Sequence, residues 1–137
     1  MKGDLPFLLD TMTARTLLTA DAPAELRRRI RAARYGSVWM SAVTEGQLHL
    51  MTRQSPRRLI LGQALELLLQ NIPTVPFDRS AALAYATLQE GAGTLPGITD
   101  ADWMVAGHAL SMEATLITAD PELRQIQRLR SENWLVA

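Results

Sequence analysis

The sequence predicts an α/β protein whose central parallel sheet of four to five strands carries helices on both faces. Short apolar segments that suit buried strands alternate with longer segments whose apolar residues recur every three or four positions. Alternation of this kind favours parallel pairing, because each connection crosses the sheet through a helix. The 137 residues contain no linker-like stretch, so one domain over residues 1–137 is expected.

The predicted strands are the apolar segments between turn or cap residues. They cover residues 5–10, 37–43, 74–77, 114–118 and 129–136, the last of them at an edge of the sheet.

Seven helices are predicted between and after these strands, and several begin at a residue whose side-chain oxygen can accept a hydrogen bond from the first helical turn. They run from Thr11 to Leu18, from the Asp21 cap to Gly36, from the Thr44 cap onward, from Ser55 to Asn71, from the Asp78 cap to Glu90, from the Thr99 cap to Met112, and from Pro121 to Ile126. Thr44 with Gln47 has the spacing of a capping box.

The composition excludes several classes of site. There is no Cys, so disulfides, thiolate metal sites and a Cys nucleophile are excluded, and a reducing cytoplasm is the expected location. No signal peptide and no membrane-length apolar stretch is visible, so no membrane association is expected. The 14 basic and 14 acidic residues balance, which removes the bulk-charge argument for nucleic-acid binding.

The arginines nevertheless concentrate in two segments. Five lie within residues 27–34 and three within residues 53–58. They are either solvated helix faces or a basic surface that holds a phosphate backbone beside an acidic pocket.

Acidic residues fall where chemistry is usually placed in such a fold. Asp10 and Asp120 each follow an apolar strand, whereas Glu45, Asp100 and Asp102 lie at predicted helix starts. Strand ends and helix starts meet at one edge of a parallel sheet, which is where ligands bind. Carboxylates without Cys suit Mg²⁺ or Mn²⁺ rather than Zn²⁺. We therefore expect metal-assisted chemistry on a phosphate.

Structural roles alone would also explain these residues. Asp10 and Asp120 suit helix N-caps, and Asp102 suits the third position of a capping box. The two histidines have no Ser or Cys partner in a recognisable motif, which argues against a His-based nucleophilic mechanism. His108 lies on an apolar helix side and is expected in the core, and His49 is expected to be half exposed.

Five segments together resemble the PIN domain, in particular the VapC-type toxins of bacterial toxin–antitoxin pairs. The resemblance covers nearly the whole chain, and the order and gaps of the segments make it specific. The segments are Leu9-Asp10-Thr11, Met40 to Leu48 (MSAVTEGQL), Asp102 to Leu110 (DWMVAGHAL), Glu113 to Asp120 (EATLITAD) and Leu129 to Trp134 (LRSENW).

The resemblance implies a metal-dependent endoribonuclease that hydrolyses RNA phosphodiesters, with tRNA among the possible substrates. In that family three or four carboxylates hold one or two divalent ions, here Mg²⁺ or Mn²⁺. Asp10, Asp102 and Asp120 match catalytic and metal-binding positions. Supporting roles are implied for the neighbouring Thr11, Thr44 and Thr118. The resemblance also implies a homodimer and a VapB-type antitoxin partner.

The chain departs from the family pattern at Gln47, where a Glu before a Leu is expected. A Gln carbonyl oxygen can coordinate a metal but carries no charge. Glu45 is two residues earlier, which is a rotation of about 200° on a helix, so it should point elsewhere unless the backbone shifts. Gln47, Glu45 and Asp100 remain additional candidate metal ligands. Met12 also replaces a residue that is usually polar.

Two alternatives stand beside the ribonuclease interpretation. The first, which Gln47 favours, is a catalytically impaired PIN-like domain that binds RNA or an antitoxin. The second is a receiver-type phosphotransfer domain with an acidic pocket, which would require a phosphorylatable Asp at the end of a central strand and a Lys near a late strand. The only Lys is Lys2, which argues strongly against this second alternative.

A homodimer has independent support from the helix predicted over residues 55–71. This helix has apolar residues around much of its circumference, and such a helix needs a second partner surface. The residues include Leu59, Leu61, Leu65 and Leu69.

Overall fold

The computed structural model describes residues 6–33 and 36–137, which form one sheet between two layers of helices. All strand pairs are parallel, and the strand order is β3-β2-β1-β4-β5. The strands are β1 (Phe7–Leu9), β2 (Val38–Ser41), β3 (Thr74–Val75), β4 (Thr115–Ile117) and β5 (Ser131–Glu132). The predicted strand residue Leu5 and Arg34 of the basic segment lie outside the described residues.

The helices alternate with these strands as predicted. They are α1 (Thr11–Thr16), α2 (Ala24–Ala32), α3 (Ala42–Gln54), α4 (Arg58–Asn71), α5 (Arg79–Ala92), α6 (Asp100–Ser111) and α7 (Pro121–Arg124). Within the described residues, no helix combines the length and the hydrophobicity needed to cross a membrane.

Two hydrophobic clusters, one on each face of the sheet, form the core. Successive side chains of a strand point to opposite faces. Accordingly, Leu8 packs in the cluster that contains Trp103 of α6, whereas Leu9 packs in the cluster that contains Leu48 of α3 and Leu65 of α4. Both faces of β1 are therefore covered, which confirms the three-layer α/β architecture and explains why its residues are apolar without alternation.

Helix α3 begins earlier than its sequence suggested. We expected a Thr44 cap, but Ser41 is the N-cap, and its hydroxyl accepts a hydrogen bond from the Val43 amide at 3.1 Å. The predicted capping box of Thr44 and Gln47 is therefore wrong, because Thr44 lies inside the helix and is buried. For the same reason, the second strand ends at Ser41 instead of at Val43 as predicted.

Two other helix starts also differ from prediction. Pro23 rather than Asp21 occupies the N-cap position of α2, without a side-chain hydrogen bond. Helix α4 begins at Arg58, because the Ser55 hydroxyl accepts from the Arg57 amide and closes a turn before the helix. The predicted caps of α5, α6 and α7 are confirmed. These caps are Asp78, Thr99 and Asp120.

Helices α5 and α6 pack against each other at very short range. A Cβ atom built on Gly107 would lie 2.4 Å from the Cα atom of Tyr85, so only glycine fits there. The connection between the two helices, residues 93–99, is short. The end of α5 therefore lies close to the beginning of α6.

Candidate active site

Asp10 occupies the middle of the carboxyl edge of the sheet. It follows β1, which lies between β2 and β4, and its amide donates to the Ile117 carbonyl at the end of β4. Its side chain caps α1 by accepting a hydrogen bond from the Thr13 amide at 2.8 Å. Asp10 is only 9% exposed. The strand order therefore places a buried carboxylate at the position where α/β sheets bind ligands.

The surroundings of Asp10 leave its negative charge poorly compensated. Burial raises the pKa of the Asp10 carboxyl, and the nearby charge of Asp102 raises this pKa further. Hydrogen bonds from Thr118 and Thr13 lower it only in part. In the described part of the chain, no Arg, Lys or His forms an ion pair with Asp10 or Asp102. A bound cation would supply the missing compensation.

Asp102 approaches this position from the first turn of α6. One of its carboxylate oxygens accepts from the Thr99 amide at 3.0 Å, and the Thr99 hydroxyl accepts from the Asp102 amide at 3.1 Å. This is a complete capping box, which fixes the orientation of the side chain. Asp100 is exposed two residues earlier. Asp102 is thus held in place while its charge still acts on Asp10.

Asp120 follows β4 and is connected to Asp10 through Thr118. The Thr118 hydroxyl accepts from the Asp120 amide at 3.1 Å, and the same fully buried side chain is hydrogen-bonded to Asp10. The Asp120 carboxylate caps α7 by accepting from the Glu122 amide at 2.9 Å. Its visible role is therefore that of a cap at the same edge of the sheet.

Gln47 and Glu45 point in different directions from the first turns of α3. The Thr11 hydroxyl, next to Asp10, donates to the Gln47 carbonyl oxygen at 2.6 Å and lies 3.1 Å from the Thr44 hydroxyl. Glu45 instead accepts from the Thr74 hydroxyl at 2.6 Å. Gln47, and not Glu45, is therefore the side chain linked to the Asp10 region, as the helical rotation predicted.

Glu45 also contacts His49, with 2.9 Å between Oε2 and Nε2. The hydrogen bond from Thr74 and the contact with His49 lower the pKa of the Glu45 carboxyl below its usual range. His49 is partly exposed, as expected. Glu45 is thus a well-compensated carboxylate on the side of β3.

His108 is a core residue, as its helix face indicated. It is 1% exposed, and its Nδ1 atom lies 2.8 Å from the Ser41 hydroxyl. Burial lowers the pKa of its imidazole. Thr13 is a further residue at the site that the sequence pattern did not single out. Buried Thr13 binds Asp10 through its amide and the Ile117 carbonyl through its hydroxyl at 3.3 Å, and its position three residues after a predicted cap was the available signal.

The donor set is suited to a hard divalent cation, although the carboxylates are not gathered into a ready ligand cluster. Across residues 6–33 and 36–137, no three His, Cys, Asp or Glu side chains are arranged to hold a metal ion. The side chains beside Asp10, those of Thr118, Thr13 and Asp102, all carry oxygen atoms, and the charge of Asp102 opposes that of Asp10. Oxygen ligands with excess negative charge are the chemistry that Mg²⁺ and Mn²⁺ require.

A model of the PIN domain family matches residues 8–129. The chain therefore belongs to the PIN domain family. No curated protein sequence matches it significantly.

Several solved structures share this fold. VapBC from Salmonella typhimurium, bound to DNA, has a TM-score of 0.82 at 23% identity, covering 96% of this chain and 99% of the other. VapBC-1 from nontypeable Haemophilus influenzae has a TM-score of 0.78 at 24% identity, covering 95% and 98%. VapBC2 from Rickettsia felis, bound to a promoter DNA fragment, has a TM-score of 0.78 at 21% identity, covering 93% and 98%.

Proposed function

We propose that this protein is a divalent-metal-dependent endoribonuclease, the toxin of a VapBC-type pair. The observation that carries the proposal is Asp10, a buried carboxylate at the end of the central strand with neutral hydrogen-bond donors and a neighbouring negative charge. Burying such a charge is costly unless a counter-ion joins it. In a PIN domain, that counter-ion is best explained as a catalytic metal.

Asp10 and Asp102 are the residues proposed to hold Mg²⁺ or Mn²⁺, with Asp120 as the third carboxylate ligand. Such an ion supplies activation of water near neutral pH and neutralisation of phosphate charge. The remaining residues position these groups. Thr118 orients both Asp10 and Asp120. Thr11 fixes the amide of Gln47, which offers an oxygen but no charge.

The direct test is cleavage of tRNA and of single-stranded RNA by the purified protein. We expect cleavage with Mg²⁺ or Mn²⁺ and none with EDTA. Asp120→Asn should abolish cleavage without unfolding the protein, because Asn also serves as an N-cap for α7. Full activity of Asp120→Asn would remove Asp120 from the proposed ligand set, and metal-independent cleavage by the parent would contradict the proposal.

A second candidate function is a PIN-like domain that binds RNA or an antitoxin without cleaving RNA. Gln47 favours it, because a neutral amide stands where the family pattern has a carboxylate, and it faces Thr11 beside Asp10. Under this alternative, the parent protein should retain RNA in a filter-binding assay while no metal concentration produces cleavage.

The proposed protein partner is a VapB-type antitoxin in the cytoplasm. The support is that the similar structures are complexes named VapBC, each matched over nearly the full chain. Co-expression with the product of a short neighbouring reading frame should give a complex that co-purifies and suppresses RNA cleavage. A neighbouring product that neither binds nor inhibits would count against this partner.

A homodimer through α4 is proposed because that helix exposes large apolar side chains. Leu59, Ile60 and Leu67 are 79%, 58% and 61% exposed. A second copy is a suitable occupant, because a two-fold dimer would pack the exposed apolar side chains of α4 in one copy against the same side chains in the other.

Sedimentation of the full chain tests the dimer. We expect a dimer at micromolar concentration and a monomer for Leu59→Lys combined with Leu67→Lys. Leu83→Lys is the matched control, because Leu83 is 57% exposed on α5. A parent protein that is only monomeric would exclude the dimer.

A further inference from the structure

A cavity of about 430 Å³ lies between the end of α5 and α7. Leu88, Ala92, Leu95 and Ile126 form its apolar part. Polar side chains also line it, namely Glu122, Gln125, Gln127 and Arg128. Cavities of this volume that are lined by apolar residues and a few hydrogen-bonding groups are typical small-ligand sites.

The cavity is lined by the two segments that lead toward Asp102 and away from Asp120. One wall includes α7, which begins at Asp120, and Glu122 is the residue whose amide donates to the Asp120 carboxylate. The other wall is the end of α5 and the loop that leads to the Thr99 cap of Asp102. A ligand in this cavity would therefore contact the segments that hold two of the three proposed metal ligands.

Glu122 is positioned as a hydrogen-bond acceptor rather than as an ion-pair partner. In the described part of the chain, its carboxylate forms no ion pair. A Cβ atom built on Gly97 would lie 2.7 Å from Glu122 Oε1, so the loop backbone packs closely against this oxygen. The cavity thus presents an acceptor at Glu122, a cationic donor at Arg128, and amides at Gln125 and Gln127 that can do both.

We propose that this cavity binds a guanine base of the RNA substrate, next to the cleaved phosphate. The inference rests on the proposed ribonuclease function. A carboxylate pairs with the N1–H and N2 amino donors of guanine, and an arginine pairs with its O6 and N7 acceptors. Adenine and the pyrimidines do not carry this combination of hydrogen-bond donors and acceptors. Single-stranded RNA is commonly recognised by bases that are splayed into such pockets.

Nucleotide binding in EDTA tests the subsite separately from cleavage. Titration of the full chain with 5′-GMP, 5′-IMP, 5′-AMP, 5′-CMP and 5′-UMP should show the tightest binding for GMP, with amide NMR shifts at residues 122–128. IMP lacks the N2 amino group and should bind about tenfold more weakly, the size of one lost base contact. Equal binding of all five nucleotides would overturn the inference.

Two variants locate the binding. Glu122→Gln keeps the size of the side chain and should remove the preference for GMP over IMP, whereas Glu90→Gln, an exposed position on α5 outside the cavity, should leave it unchanged. Gly91 lines the cavity, and a Cβ atom built on it meets no other atom within 4 Å, so Gly91→Leu should narrow the cavity and weaken the binding of all five nucleotides. An unchanged preference in Glu122→Gln would contradict the assignment.

The ribonuclease function and the guanine subsite can be rejected independently of each other. Selective GMP binding without RNA cleavage in any metal would leave the subsite standing and reject the nuclease. Metal-dependent cleavage without selective GMP binding would reject the subsite and leave the nuclease standing.

Discussion

Asp10 and Glu45 are two carboxylates at the same edge of the sheet, after neighbouring strands, yet their environments are opposite. Asp10 is buried, is repelled by Asp102, and has a raised pKa. Glu45 is 31% exposed, accepts a hydrogen bond from Thr74, contacts His49, and has a lowered pKa. Uncompensated charge, rather than position at the edge of the sheet, therefore distinguishes the proposed metal ligand from a structural carboxylate.

Substitutions of Asp10 and Glu45 should differ most in their effect on RNA cleavage. Asp10→Asn should reduce kcat/KM by about a hundredfold or more, because it removes a charged ligand. Asn retains the ability to cap α1, so the fold should persist. Glu45→Gln should leave cleavage about unchanged. Equal losses of cleavage in the two variants would show that Asp10 and Glu45 do not differ in function. Circular dichroism of both variants controls for folding.

A smaller effect is expected when charge is added at Gln47. Gln47→Glu should increase Mn²⁺ affinity by about tenfold, since ligand charge is a main determinant of affinity at oxygen sites. Gln54→Glu adds the same charge to the exposed end of α3 and should change affinity little. Calorimetric titration measures both. If the two variants bind Mn²⁺ alike, Gln47 does not contribute to the site. Cleavage by Gln47→Glu but not by the parent would favour the binding-domain alternative.

The smallest effect is on stability in metal-free solution, and its sign differs between the two carboxylates. The pKa of Asp10 is raised, so its contribution to stability is fully present below its ordinary value of 3.8 and is lost as pH rises through the folded-state pKa. The pKa of Glu45 is lowered, so its contribution is present above its ordinary value of 4.5 and is lost as pH falls through the folded-state pKa.

At neutral pH, Asp10→Asn should therefore raise the free energy of unfolding, whereas Glu45→Gln should lower it. Urea unfolding with EDTA at several pH values measures both changes. A destabilised Asp10→Asn protein at neutral pH would mean that the Asp10 charge is compensated by a group other than a metal.

The sequence predicted the sheet and the helix order because both depend on short-range patterns. Segments such as Phe7–Leu9 are apolar throughout, and caps such as Thr99 act within three residues. The beginning of α3 was mispredicted for a related reason. Ser41 and Thr44 have similar cap chemistry, and only the end of β2 decides which of them is used.

The site was predictable only in outline. Asp10, Asp102 and Asp120 were selected by their positions at strand ends and helix starts, and their metal-binding role stays a prediction. The bonds of Thr118 to Asp10 and of Thr11 to Gln47 join residues far apart in sequence, so no local pattern encodes them. The charge imbalance around Asp10 likewise appears only once α6 brings Asp102 close.

Mn²⁺-dependent thermal stability is the most direct test of Asp10 as a metal ligand, because it reports on metal binding without requiring RNA cleavage. Mn²⁺ at about a hundred times its dissociation constant should stabilise the parent and Glu45→Gln by about 2.7 kcal/mol. Asp10→Asn should show no metal-dependent rise in melting temperature. Stabilisation of Asp10→Asn by Mn²⁺ to the same extent as the parent would contradict the assignment of Asp10 as a metal ligand.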